Sequence, residues 1–191
     1  PDSVKSIREW AFQGCSSLTS LIIPNSVTDI RREAFAFCSN LRSVTMSNNI
    51  ETFEIYVFRN CDSLTEFNGK YASADGRCLI IEGVLKSFAP AGITEYTIPD
   101  NVTTIGVYAF YNCNSLTSVT IPNSVTTIEA SAFDFCRNLT SVTIGDNVKE
   151  IGNYAFLDCT SLTNVYCKAS IPPLGGHHMF HKHYGGNYET P

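Results

Sequence analysis

The chain carries the heptapeptide Pro-Asn-Ser-Val-Thr-Asp-Ile at residues 24–30 and, with a single change, Pro-Asn-Ser-Val-Thr-Thr-Ile at residues 122–128. Alignment on these copies, and on the Ala-Phe or Val-Phe pair found in each unit, divides the chain into 23-residue units that begin at residues 1, 24, 47, 99, 122 and 145. A 29-residue variant unit spans residues 70–98, and a 24-residue segment spans residues 168–191. A period of 23 residues is typical of leucine-rich repeats and too short for the common helical-pair repeats.

Each unit places the same residue types at the same positions, which we number as places 1–23. Place 12 holds Phe12, Phe35, Phe58, Phe110, Phe133 and Phe156. Place 15 holds Cys15, Cys38, Cys61, Cys113, Cys136 and Cys159, and place 18 holds Leu18, Leu41, Leu64, Leu116, Leu139 and Leu162. Apolar residues that recur at fixed places indicate that each unit adds one layer to a stacked core.

The last places of each unit predict a short strand. Leu21 and Ile23 alternate with Ser20 and Ile22, so we expect the first pair to point inward and the second outward. Pro24 follows and ends the strand, because proline has no backbone N–H to donate to a neighbouring strand.

The middle of each unit has the spacing of a short helical turn, with Ala34, Phe35 and Cys38 on its inner side. Places 10 and 14 lie four residues apart and would share a helix face. Each of the six regular units has one aromatic residue at one of these two places: Trp10, Phe37, Tyr56, Tyr108, Phe135 and Tyr154. This exchange of volume between the two places predicts that the aromatic residues pack between neighbouring coils.

Each unit has the same order of motifs: a strand, then Pro-Asn-Ser-Val-x-x-Ile, then Ala-Phe-x-x-Cys, then x-x-Leu. Over residues 1–167, this order closely resembles the repeat of the BspA-like leucine-rich-repeat family of bacterial surface proteins. The resemblance implies an α/β solenoid, right-handed and curved, with a parallel β-sheet on the concave face and short helical turns and loops on the convex face. It also implies export to the cell surface and adhesive binding to host or neighbouring-cell proteins. We therefore expect one solenoid domain over residues 1–191, in which residues 168–191 form a C-terminal capping segment.

The eight cysteines do not predict a disulfide framework. Six of them occupy the inward, apolar place 15, where parallel Cβ vectors disfavour a disulfide and favour buried free thiols. Cys78 and Cys167 lie outside this register, and the sequence leaves their redox state open; the repeat pattern places Cys167 at a core position of the last strand. No Cys-x-x-Cys pair indicates a zinc site.

The variant unit, residues 70–98, contains an insertion. Asp75-Gly76 is a turn signal, and residues 78–81 and 84–88 have strand character, so their junction at Glu82-Gly83 predicts a hairpin. Insertions in solenoids often lie on a binding edge. The alternative is a hairpin that only covers the sheet or adjusts its curvature.

The outward strand residues form two rows of small, mostly hydroxyl-bearing side chains on the concave face, the usual binding surface of a solenoid. We take as candidate ligand-binding residues Ser43, Thr45, Glu66, Asn68, Glu95, Thr97, Ser118, Thr120 and Tyr166 on the strands, with Asp75 and Arg77 on the insertion. Threonine is also common in strands because it is β-branched, so the competing structural interpretation is that these rows only favour strand formation.

Several function classes are disfavoured. With 13 Lys+Arg against 18 Asp+Glu, the chain has a net charge of −5 and lacks the basic character of a nucleic-acid binder. No apolar run approaches the ~20 residues of a membrane helix. Phosphate loops, nucleophile elbows and metalloprotease motifs are absent, and residues 1–176 contain no histidine. We expect a non-catalytic, cofactor-free module that binds a protein ligand, or else a passive structural spacer of a larger surface protein.

The two ends of the sequence carry separate expectations. The first unit begins without an initiator Met, a signal peptide or a polar cap, so we expect either upstream repeats or an apolar end that associates with another copy. Near the other end, His177, His178, His181 and His183 form a weak candidate metal site. Alternatively, Phe180 takes the place of the repeat phenylalanine in a degenerate last coil.

Overall fold

The computed structural model describes residues 3–170 and 172–180. The chain divides into two compact units. Unit 1 comprises Pro1–Ile81 and Lys86–Ala91, and unit 2 comprises Glu82–Leu85 and Gly92–Pro191. The boundary therefore falls within the insertion of the variant coil.

Unit 1 is built from parallel strands that pair between equivalent places of successive coils. The strands are β1 (Ser6–Ile7), β2 (Ser20–Ile22), β3 (Asp29–Ile30), β4 (Ser43–Thr45), β5 (Thr52–Phe53), β6 (Glu66–Asn68) and β7 (Cys78–Ile81). Strands β1, β3 and β5 form one sheet in that order, and β2, β4 and β6 form a second, while β7 belongs to neither of these two sheets. Ser20 aligns with Ser43, and Ser43 with Glu66, so the register follows the 23-residue period.

Unit 2 repeats this arrangement. Its strands are β9 (Glu95–Thr97), β10 (Thr104–Ile105), β11 (Ser118–Ile121), β12 (Thr127–Ile128), β13 (Ser141–Ile144), β14 (Glu150–Ile151), β15 (Asn164–Cys167) and β16 (Leu174–Gly175), and it also contains the first two residues of β8 (Val84–Phe88). The sheet orders are β9-β11-β13-β15 and β8-β10-β12-β14-β16, all parallel. The predicted parallel strands of a leucine-rich-repeat solenoid are confirmed.

The predicted helical turns are wrong: within the described residues no segment is helical, so the fold is a β-solenoid rather than an α/β one. The physical reason lies at places 10 and 14, which adopt positive φ in every regular coil, for example 58° at Tyr108 and 57° at Asn112. A right-handed helix cannot pass through a left-handed residue. The sequence had indicated that places 10 and 14 share a helix face, and they do not.

These left-handed residues let the turn bond to its neighbour. Within a coil, the N–H of Tyr111 donates to the carbonyl of Tyr108, three residues earlier. Between coils, the N–H groups of Phe110 and Asn112 donate to the carbonyls of Ala132 and Asp134, at 2.8 and 2.9 Å. The backbone N–H and C=O groups of the turn thus form hydrogen bonds partly within the turn and partly with the next coil, whereas those of a helix bond within the helix.

The core of each unit contains a stack of the place-12 phenylalanines. Ring centroids lie 5.1 Å apart for Phe12 and Phe35 in unit 1, and 4.7 Å apart for Phe110 and Phe133 in unit 2. Phe180 continues the unit 2 stack at 5.3 Å from Phe156. The alternative prediction of a degenerate last coil is therefore confirmed.

The predicted hairpin is confirmed, with β7 and β8 joined at Glu82 and Gly83. Both linking residues have positive φ, 51° and 77°, as a two-residue type I′ turn requires. The sequence did not indicate that Val84 and Leu85 then pair in parallel with Thr104 and Ile105, so that β8 also supplies the first strand of its coil.

The cysteines are free thiols, and Cys38, Cys61, Cys113, Cys136 and Cys159 are buried as predicted. Each thiol except that of Cys113 donates a hydrogen bond to the carbonyl of the place-12 phenylalanine in the preceding coil, at 2.9–3.2 Å. Cys15 and Cys167 are exposed, so the expected burial of Cys15 is wrong, and Cys167 does not fill the core position that its place in the repeat indicated.

Candidate functional site

The outward rows of unit 2 form a neutral strip, which we call the hydroxyl strip: Ser118, Thr120, Ser141 and Thr143. Its residues alternate along β11 and β13 with the buried side chains of Val119, Ile121, Val142 and Ile144. The alternation of strand side chains thus places the hydroxyls on the outer surface of the sheet, as predicted.

The hydroxyls of this strip make no side-chain hydrogen bond within the described residues. Other threonines of unit 2 behave differently, since the hydroxyls of Thr117 and Thr140 donate to the carbonyls of Thr94 and Thr117, at 3.0 and 2.9 Å. The fold therefore uses one set of threonine hydroxyls to join coils and leaves the hydroxyl strip available to a ligand.

Residues of different character flank the hydroxyl strip. Glu95 and Thr97 on β9 lie beside Ser118 and Thr120, and both are exposed. On the other side, Tyr166 pairs in register with Thr143 and is 58% exposed. The strip thus has a carboxylate on one side and an aromatic side chain on the other.

The corresponding rows of unit 1 are partly satisfied by their own neighbours. The amide of Asn68 donates to the hydroxyl of Ser43 at 3.2 Å and to the carboxylate of Glu66 at 3.3 Å. Thr45, in register with Asn68, makes no side-chain hydrogen bond within the described residues, and Ile22 adds an apolar side chain that is 76% exposed. Unit 1 therefore offers fewer available polar groups than the hydroxyl strip does.

Asp75 and Arg77 make contacts that hold the insertion in place. The carboxylate of Asp75 accepts hydrogen bonds from the hydroxyl of Ser73 and the N–H of Arg77, at 2.6 and 3.0 Å. The guanidinium of Arg77 donates to the carbonyls of Ala89 and Ala91, at 3.3 and 2.8 Å. These bonds shape the loop, and a ligand would meet side chains that already have partners.

An ion-paired cluster lies at the coil edge of unit 1. The guanidinium of Arg31 contacts Glu54 at 2.9 Å and Asp29 at 3.1 Å, and the N–H of Arg32 donates to Glu54 at 2.8 Å. The hydrogen bonds from Arg31 and then from Arg32 lower the pKa of Glu54, and those from Thr28 and then Thr52 lower the pKa of Asp29. The cluster links two successive coils through charged side chains.

The sequence did not reveal how the place-10 and place-14 aromatics are organised in unit 1. The guanidinium of Arg59 lies 5.4 Å from the ring centroid of Phe37 and 5.0 Å from that of Tyr56. The carboxylate of Glu33, itself buried, contacts Arg59 at 4.0 Å and Arg32 at 3.2 Å. An Arg three residues after Tyr56 is the sequence-level signal of this cluster.

The weak metal candidate finds no support among the residues that the structure describes, where no group of three or more His, Cys, Asp or Glu side chains could hold an ion. The rings of His177 and His178 lie 6.4 Å apart, and the ring of His178 stacks on Tyr154 at 5.7 Å. His181 and His183 lie outside the described residues. Over the described ranges, no helix is present that could cross a membrane.

A family model described as a BspA type leucine rich repeat region matches six copies in the chain, over residues 1–73 and 85–182. The unmatched interval, residues 74–84, contains the turn at Asp75, strand β7 and the link to β8. The match extends beyond residue 167 into the degenerate last coil. No match is found among proteins with curated descriptions.

Several solved structures are similar to the chain. The leucine-rich-repeat protein TpLRR of T. pallidum is 25% identical with a TM-score of 0.51, over 91% of this chain and 67% of that one. A leucine-rich-repeat protein of Eubacterium ventriosum is 20% identical with a TM-score of 0.56, over 87% of this chain and 58% of that one. The pneumococcal vaccine antigen PcpA shares the fold at 15% identity and a TM-score of 0.58, over 93% of this chain and 58% of that one.

Proposed function

Because this chain belongs to the BspA-type leucine-rich-repeat family, we propose that it is a non-catalytic binding module of a bacterial cell-surface protein, and that it holds a protein ligand of a host or a neighbouring cell on its outward strand rows. The observation that carries this proposal is the hydroxyl strip of unit 2. Its four hydroxyls lie in register on two adjacent strands and have no hydrogen-bond partner within the described residues.

The chemistry of the strip fits a protein segment. A hydroxyl both donates and accepts, so one row can bond to the N–H and C=O groups of an extended backbone. Tyr166, exposed beside the strip, supplies an aromatic side chain of the kind that dominates binding energy at interfaces. With one such residue we expect modest affinity for a single module, which several copies on one surface would raise through multivalency.

The proposal is tested with the full chain immobilised against a panel of extracellular-matrix proteins, plasma proteins and glycans. Thr120→Arg and Thr143→Arg place a long charged side chain on the strip and should abolish any binding that the unchanged chain shows. Thr160→Arg changes an exposed threonine outside the strip and serves as the matched control. Binding that survives both strip variants, or that is seen only with glycans, would contradict a protein ligand at this surface.

A passive structural spacer is the second candidate function, and the rows of unit 1 favour it. There, Asn68 satisfies Ser43 and Glu66 internally, which is the behaviour of a surface that is complete without a ligand. A spacer predicts that the folded chain binds none of the panel proteins and that the strip variants change nothing but local stability.

A further inference from the structure

Strand β9 (Glu95–Thr97) is an edge strand in the interior of the chain. It is the first strand of the sheet β9-β11-β13-β15, and within the described residues its one strand partner is β11. The structure describes the chain from residue 3 to residue 170, so this edge is not an end of the sequence. An unpaired edge presents backbone N–H and C=O groups that can pair with another strand.

In the next coil of unit 2, the equivalent backbone groups are hydrogen-bonded. The N–H groups of Thr117 and Ser118 donate to the carbonyl of Thr94, at 2.7 and 3.2 Å. The carbonyl of Thr120 accepts from the N–H of Ile98 at 3.0 Å. A regular coil thus uses the N–H groups of places 19 and 20 and the carbonyl of place 22 to bond to the coil before it.

On β9 the same groups have no such bonds. The N–H groups of Thr94 and Glu95 and the carbonyl of Thr97 make no hydrogen bond within the described residues. The hydroxyl of Thr94 makes none there either, whereas that of Thr117 donates to a carbonyl at 3.0 Å. Thr94, Glu95 and Thr97 are all exposed, so a partner can reach this edge from solvent.

In unit 1, the insertion covers an edge of its own sheet. The N–H of Phe67 on β6 donates to the carbonyl of Gly76 at 2.7 Å. Among the residues that the structure describes, no backbone group bonds in this way to the edge of β9. Tyr96, the inward residue of β9, is only half-buried, whereas Val119 and Val142 at the same place are fully buried. The edge of β9 therefore lacks a covering strand.

The outward side chains of β9 determine which partner fits this edge. Glu95 is an exposed carboxylate and makes no ion pair within the described residues. Its row continues through Ser118 and Ser141, which are neutral, so a cationic side chain beside Glu95 meets no positive charge on these strands. Opposite charges on paired strands are stabilising and like charges destabilising, and β-branched residues pair well with a residue such as Thr97.

We propose that β9 binds an extended segment of a partner protein as an added parallel strand, with Lys or Arg beside Glu95, an apolar residue beside Tyr96 and a β-branched residue beside Thr97. The carbonyl before the basic residue accepts from the N–H groups of Thr94 and Glu95. The N–H after the β-branched residue donates to the carbonyl of Thr97. This site is separate from the hydroxyl strip, because it uses backbone groups of β9 and does not require the strip to bind a ligand.

Hydrogen exchange followed by NMR tests whether the edge is open in the full chain. The amides of Thr94 and Glu95 should exchange at least about tenfold faster than those of Thr117 and Ser118, because only the latter pair donates to a carbonyl. Equal protection of the four amides would overturn the proposal, since the edge would then already be paired.

Titration with the acetylated and amidated heptapeptide Ser-Thr-Lys-Val-Thr-Val-Ser tests the partner. Binding should protect the amides of Thr94 and Glu95. Methylation of the backbone nitrogen of the second valine removes the donor to the carbonyl of Thr97 and should raise the Kd about tenfold. Replacement of the peptide lysine by glutamate should raise the Kd at least about threefold, because it places like charges side by side.

A charge exchange tests the role of Glu95 through the order of two affinities, which a change in stability does not reverse. Glu95→Lys should bind the glutamate peptide more tightly than the lysine peptide. Glu150→Lys changes an exposed carboxylate on β14 and should keep the order of the unchanged chain. An unchanged order in Glu95→Lys, or no amide protection at millimolar peptide, contradicts the proposal. Protection of the two amides by rising concentration of the chain alone also contradicts it, because the occupant would then be a second copy.

Discussion

The thiol of Cys136 donates a hydrogen bond to the carbonyl oxygen of Phe110 in the preceding coil, at 2.9 Å. The same relationship joins Cys159 to Phe133 at 3.1 Å. The phenylalanine that accepts the bond also stacks its ring on the next coil, 4.7 Å from Phe110 to Phe133. Cysteine thus recurs at place 15 because it is small, apolar and still able to donate to a backbone carbonyl.

Cys136→Ala should lower the free energy of unfolding by about 1 kcal/mol or somewhat more. The variant loses one buried hydrogen bond and leaves a small cavity among fully buried neighbours. Urea unfolding measures the change. Cys15→Ala is the matched control, since Cys15 is exposed and its replacement should change stability by less than about 0.5 kcal/mol. Equal effects at both positions would contradict a role for the ladder of thiols.

Thiol reactivity should separate the exposed from the buried cysteines. Cys15 and Cys167 are the exposed thiols, and we expect them to react with a colourimetric disulfide reagent in the native chain. Burial, followed by the hydrogen bond with Cys113, raises the pKa of Cys136 well above its ordinary value of 9.0, so its reactive thiolate is suppressed.

The count of reactive thiols checks this prediction. The native chain should titrate two thiols quickly and all eight only after unfolding in guanidinium. A native count well above two would mean that the coils open readily. A denatured count below eight would reveal a disulfide that the structure does not contain.

The left-handed backbone at place 14 should accommodate glycine at a lower cost in stability than a β-branched residue. Asn112 has φ of 57°, and its carbonyl oxygen accepts a 2.7 Å hydrogen bond from the amide of Asn114. Asn112→Val should destabilise the chain by about 1–2 kcal/mol more than Asn112→Gly, because only valine is strained at positive φ. Both variants lose the same side-chain hydrogen bond, so thermal unfolding of the pair isolates the backbone effect. Equal midpoints would contradict it.

Acid should weaken the ion-paired cluster of unit 1. The pKa of Glu54 is lowered from its ordinary value of 4.5 in the folded chain, so the carboxylate stabilises the fold above that value. This stabilisation is lost as the pH falls below 4.5 and through the lowered pKa of the folded state.

In Glu54→Gln this carboxylate is absent and no longer titrates. The difference in unfolding free energy between the unchanged chain and this variant, followed against pH, measures the effect. Between about pH 6 and pH 3, the unchanged chain should lose its stability advantage over Glu54→Gln. Glu95→Gln is the control, because Glu95 is exposed and makes no ion pair within the described residues. A constant difference between the unchanged chain and Glu54→Gln across this range would show that Arg31 does not favour the Glu54 carboxylate.

Much of the fold was predictable from the repeat. The alternation of Val119 and Ile121 with Ser118 and Thr120 gave both the strand and its outward row, and Glu82-Gly83 gave the hairpin. The helical turns were wrong because spacing cannot distinguish a right-handed helix from a chain of turns with left-handed residues. The asparagines, aspartate and glycine at place 14 were the available signal, since these residues tolerate positive φ.

The candidate site was only partly predictable. The sequence placed Asp75 and Arg77 on the insertion, but only the structure shows that both already bind the surrounding loop. It placed Ser43 and Ser118 in equivalent rows, and their different hydrogen bonding depends on Asn68, a neighbour on the next strand. Such differences arise from side-chain contacts across coils, which a period does not encode.

The amino-acid sequence alone was enough to predict the parallel register, the inward and outward rows and the recurrence of six cysteines at place 15, because a fixed period with fixed apolar places allows only one way to stack the coils. The folded structure was needed to show which hydroxyls bond to a carbonyl of the preceding coil and which, like those of the hydroxyl strip, remain available. It also decided that Phe12 is exposed and Phe35 buried. Identical places differ in this way because exposure depends on whether another coil lies against them.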